Sequence, residues 1–93
     1  MDWESDSFVA ECFWPDVRDE DVRALDKRIA AYLVADVRYL GSILLREDEV
    51  VLCQIEGPAA VVREVAEQAE IPFERILATT YLSLPPSETG GPE

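Results

Sequence analysis

Four segments of the chain are apolar runs rich in strand formers, and in two others apolar residues recur among polar ones with a period near 3.6. The segments run in the order β-α-β-β-α-β. Residues 7–14 are rich in strand formers and stop at Pro15, which cannot continue a central ladder. Over residues 19–33, Val22, Leu25, Ile29, Tyr32 and Leu33 recur at helical spacing, and Asp19, Glu20 and Asp21 fall in the first turn, where the helix dipole favours them. Two β-rich runs, 37–45 and 50–56, flank the polar tetrapeptide Arg46-Glu47-Asp48-Glu49, a common hairpin length. Gly57-Pro58 ends the second run, and Pro58 suits a first helical turn. From there Val61, Val62, Val65, Ala66 and Ala69 carry an apolar stripe to about residue 70. Residues 71–75 read as a connection and 76–84 as a fourth strand. One domain is thus expected at 7–84, between a short extension at 1–6 and a polar tail at 85–93 expected to be disordered.

Two β-α-β halves joined through one hairpin predict an α+β ferredoxin-like sandwich, with an antiparallel sheet of strand order 4-1-3-2 and both helices on one face. The other face is left open. Period-two alternation assigns Phe8, Ala10, Cys12 and Trp14, with Val51, Cys53 and Ile55, to the helix-covered side. Val9, Glu11, Phe13, Val50, Leu52, Gln54 and Glu56 fall on the open side. The same rule sends Arg38, Leu40, Ser42 and Leu44 there from the second strand, and Leu77, Thr79, Tyr81 and Ser83 from the fourth. A partly apolar open face on so small a domain invites pairing with a second copy, so a homodimer is expected.

Charge narrows the partners. Among 93 residues, 20 acidic side chains stand against 8 basic ones, a formal net charge of -12. Such a surface repels nucleic acid and anionic membranes alike. The longest apolar run is far short of the roughly 18 residues a spanning helix needs, and the start of the chain has neither a basic region nor an apolar signal core. A cytoplasmic location is the resulting expectation. Cys12 and Cys53 lie inside apolar strand-like runs rather than at metal-ligand spacing, so buried thiols are expected rather than a disulfide. Histidine is absent altogether, which removes the commonest general base and transition-metal ligand.

What chemistry is left gathers on the open face. Glu11, in mid-strand between Val9 and Phe13, is costly to bury unless paired or protonated. Glu11 and Glu56 beside the phenol of Tyr81 could act as acid, base and hydrogen-bond donor in a proton transfer that needs no cofactor and no metal. Arg38, Gln54, Phe13 and Thr79 would hold a small, fairly apolar molecule there, and an isomerase or cyclase is the corresponding activity. Two blander readings stand beside it. Arg38 could pair with Glu11 or Glu56 and keep the carboxylate structural, and the chain could be a non-catalytic interaction module working through its dimer or its acidic surface. Residues 16–21 lack the pattern of a calcium loop and read as helix capping, no Gly-rich phosphate loop occurs, and no serine has the context of a hydrolase nucleophile.

Several strings resemble the signatures of a known family. They are Phe8-Val9-Ala10-Glu11 followed by Pro15, Val17-Arg18-Asp19-Glu20-Asp21-Val22, Val37-Arg38-Tyr39-Leu40-Gly41-Ser42, Cys53-Gln54-Ile55-Glu56-Gly57-Pro58 and Ile71-Pro72-Phe73-Glu74-Arg75-Ile76. Over about residues 7–82 the chain resembles the small nickel-binding-type ferredoxin-like domains of unknown function. The resemblance implies a dimeric α/β barrel made by two facing four-stranded sheets, with Glu11 and Glu56 at positions where the family also has glutamate. Nickel binding in that family depends on histidine-containing sites, so it does not carry over. Cys12 stands where the family commonly has a basic or polar residue, and Tyr39 where an aromatic is usual. Related dimeric barrels house cofactor-free cyclases, isomerases and monooxygenases, an analogy of fold alone.

Overall fold

A computed structural model describes residues 6–80. Its elements are β1 (Ser7–Phe13), α1 (Asp19–Ala31), β2 (Arg38–Leu45), β3 (Val50–Glu56), α2 (Ala59–Gln68) and β4 (Arg75–Thr79). The four strands form one antiparallel sheet in the order β2-β3-β1-β4, the order expected from the split halves. This is an α+β arrangement compatible with the ferredoxin-like expectation. Among the described residues no helix is long and apolar enough to cross a membrane. The expected tail at 85–93 and the last residues of the expected fourth strand lie outside the described residues, as do Tyr81 and Ser83.

Both helices bury their apolar stripes against the same sheet face. Val22, Leu25 and Ile29 of α1, with Val62, Val65 and Ala66 of α2, meet Ala10, Cys12, Val51, Cys53 and Ile55 in one cluster. The two cysteines are free thiols with no exposed surface, as expected. Contact with the Cys53 thiol, then burial, push the Cys12 thiol well above its ordinary range. Tyr32 is a correction. Helix α1 ends at Ala31, and Tyr32, at its C-terminal cap, stays exposed while Leu33 packs against the core.

The ends of the helices are held by side chains and backbone. The Arg18 N–H donates to the Asp21 carboxylate at 2.9 Å, so the acidic run does cap α1. Pro58 sits one residue before α2 rather than in its first turn. At the other end Glu70 takes a positive φ of 57°, and the Ile71 N–H reaches the Ala66 carbonyl at 3.0 Å, closing the helix with a left-handed residue. Arg28 reaches across from α1 and donates to the carbonyls of Ala69 and Glu70, a cation at the negative end of α2.

Strand β2 is where simple alternation fails. Tyr39 pairs with Ile55 but Gly41 pairs with Gln54, so Leu40 is an extra residue in a bulge. Gly41 has φ 118°, a conformation that side-chain-bearing residues rarely adopt. The bulge shifts every later residue to the opposite face. Arg38 and Leu40 are on the open side as expected, but Ser42 and Leu44 are not: they pair beside Cys53 and Val51 on the helix side, while Ile43 and Leu45 face outwards. Ser42 there joins Tyr39 and the α1 residue Asp26 in a three-way hydrogen-bonded cluster that pins the edge strand to the helix.

Candidate functional site

Strand register turns the open face into a grid whose neighbours can be named. At one end Arg38, Glu56, Ser7 and Thr79 lie side by side across the four strands. Next come Gly41, Gln54, Val9 and Leu77, then Ile43, Leu52, Glu11 and Arg75, and finally Leu45, Val50 and Phe13. Among the described residues seven large apolar side chains are well exposed, and five of them, Phe13, Leu40, Ile43, Leu45 and Leu77, are on this face. Among the described residues its charges are two arginines and two glutamates, so this part of the face is neutral on a chain of net charge -12.

Those four charges are paired. Arg38 lies 3.3 Å from Glu56 across the β2-β3 boundary, the pairing that the sequence allowed. Glu11 is held instead by Arg75, whose Nε donates to its Oε1 at 2.6 Å. Arg75 belongs to β4 rather than to a connection, and it escaped sequence reading for that reason. It is nevertheless in phase with Leu77 and Thr79, and alternation extended two residues back would have found it.

The expected site residues separate into two groups. Glu11 pairs in register with Leu52 and Glu56 with Ser7, so the two carboxylates are four residues apart along the strands, about 13 Å. They do not form an acid-base couple within one protomer. Phe13 is further still from Glu56, at the apolar end with Val50 and Leu45. Tyr81 lies outside the described residues.

Gln54, Glu56 and Thr79 do come together, around a concavity of about 480 Å³ that opens at the Arg38–Glu56 end. Ser7, Val9 and Leu40 complete its floor and rim, and their chain neighbours Phe8 and Thr80 also border it, although the Phe8 side chain packs on the helix side. The bulge makes the room. It lifts Leu40 to one wall, and a side chain at Gly41, opposite Gln54, would meet nothing within 4 Å. Among the described residues the Gln54 amide has no side-chain hydrogen-bond partner, although it is half-buried. Nor do three or more acidic or cysteine side chains gather anywhere among the described residues as metal ligands would. What this site can do is bind an apolar body beside unfilled hydrogen-bonding groups and one carboxylate.

Compared with models of protein families, with curated proteins and with solved structures, the chain matches none, so its functional reading rests on the geometry and chemistry of this face.

Proposed function

We propose that the protein is a cytoplasmic homodimer in which two open sheet faces meet as a dimeric α/β barrel and enclose a small, fairly apolar molecule. The observation that carries this reading is the character of the open face, apolar in five of its large exposed side chains and neutral in charge. Two copies of an acidic chain repel each other over most of their surfaces, and this face is where they meet without repulsion. From a strand spacing of about 4.8 Å and a rise of about 3.3 Å per residue, it measures roughly 20 Å by 20 Å. Ordinary protein interfaces bury about 800 Å² per partner, and side chains standing out from such a sheet bring its accessible surface towards that size.

Cofactor-free isomerase or cyclase chemistry fits this reading if the acid-base group is Glu56, the carboxylate in the concavity wall, rather than Glu11. A second reading, a non-catalytic dimeric module, draws support from the same ion pairs, because each candidate carboxylate already has an arginine partner. Light scattering decides the shared premise. The wild-type chain is expected to have twice the protomer mass, and Ile43→Lys, which sets a charge in the middle of the apolar half, is expected to return it to a monomer. A wild-type monomer at all accessible concentrations would remove both dimeric readings.

A further inference from the structure

We infer that the concavity at the Arg38–Glu56 end selects ligands with an apolar body and an uncharged or cationic head that donates hydrogen bonds, and turns anions away. The inference deepens the ligand-binding reading above and depends on it. Three features of the walls carry it. The apolar contacts come from Val9 and Leu40, which suit a flat or branched hydrocarbon body. Among the described residues the one charged group in the lining is the Glu56 carboxylate, whose side chain is 25% exposed. The nearest arginine, Arg38, is not part of the lining: it is 76% exposed and already faces Glu56.

Gln54 supplies the third feature. Its amide offers both a carbonyl acceptor and N–H donors, unclaimed by other described side chains, beside the space left by Gly41. A ligand N–H or O–H can therefore be taken by the Gln54 carbonyl or by the Glu56 carboxylate, with Ser7 and Thr79 as further hydroxyl partners. An anionic head in the same place would meet Glu56 with no free cation among the described lining residues to offset it, and like charges brought together lower affinity steeply. The overall charge of -12 adds to that exclusion at longer range.

A matched pair of fluorescent probes tests the assignment. N-phenyl-1-naphthylamine has an apolar body and one N–H donor, and 8-anilino-1-naphthalenesulfonate is the same body with an added sulfonate. The wild-type protein is expected to bind the neutral probe about tenfold or more tighter than the sulfonate. Glu56→Gln, which removes the repelling charge and frees Arg38, is expected to bring the two affinities within about threefold. Gln54→Ala is expected to weaken the neutral probe about fivefold, the value of one hydrogen bond. Leu40→Lys, which sets a cation at an exposed bulge position in the wall, is expected to reverse the preference. Equal binding of the two probes by the wild type, tighter binding of the sulfonate, or no binding of either up to its solubility limit would overturn the inference. Light scattering on the same samples separates it from the dimer reading: a monomer with the expected selectivity overturns the dimer alone, and a dimer without selectivity overturns the ligand class alone.

Discussion

The two faces of this one sheet are built from the same strands and yet solve opposite problems. On the helix side Cys12, Val51, Cys53 and Ile55 are sealed beneath Leu25 and Ile29, with almost no exposed area. On the other side Phe13, Leu40, Ile43, Leu45 and Leu77 are as apolar but stay exposed, interleaved with two ion pairs. The first face holds the fold together. The second spends none of its apolar surface on the protomer's own core, which is why it is read as a face for association and binding.

The contrast can be broken from its strongest side first. Leu25→Ala leaves a cavity under both helices and is expected to cost about 3 kcal/mol in chemical denaturation. A loss under about 1 kcal/mol would mean that the helix side is not the stabilising face. Tyr39→Phe removes the hydroxyl that links β2 to Asp26 and Ser42 and is expected to cost about 1 kcal/mol at neutral pH.

The same tyrosine gives the helix side a pH signature. Burial, then the hydrogen bond to Asp26, hold its ionisation above the ordinary value of 10.0. The unfolded chain therefore releases this proton first as pH rises, and stability falls above pH 10. The two buried thiols do not add to this slope, because their contact raises Cys12 but lowers Cys53 and the two shifts oppose each other. Denaturation midpoints measured from pH 8 to 11 are expected to decline above about pH 10, and Tyr39→Phe is expected to flatten that decline. An unchanged slope in that variant would detach Tyr39 from the buried layer.

Effects on the open face are expected to be smaller for folding. Arg75→Ala removes the partner of Glu11, but the arginine is 63% exposed, so the loss should stay within about 1 kcal/mol. Ile43→Lys, in dilute solution where association does not contribute, should change folding stability by no more than about 0.5 kcal/mol while abolishing self-association. If it destabilises the dilute protein as Leu25→Ala does, the distinction between the two faces fails.

The candidate site was half legible. Gln54, Glu56 and Thr79 could be placed on one surface because β1, β3 and the described part of β4 alternate regularly, and alternation is a local property of an extended backbone. The concavity itself could not be read, since it depends on a bulge at Gly41 that reverses the facing of Ser42 and Leu44. A glycine inside a strand run is the one signal that pointed there. The mid-strand position of Glu11 signals the need for a partner, yet that partner, Arg75, is 64 residues away and becomes its neighbour only through the β1-β4 register.

The amino-acid sequence by itself determined the order of elements, the apolar stripes of both helices, the buried thiols and the facing of the regular strands. Each of these follows from periodicity that neighbouring residues impose on one another. Tertiary structure alone decided which charges pair, that Glu11 and Glu56 stand apart, and that the edge strand twists Ser42 inward to Asp26 and Tyr39. Those outcomes depend on register between distant strands, where a shift of one residue exchanges the faces and which no local pattern specifies.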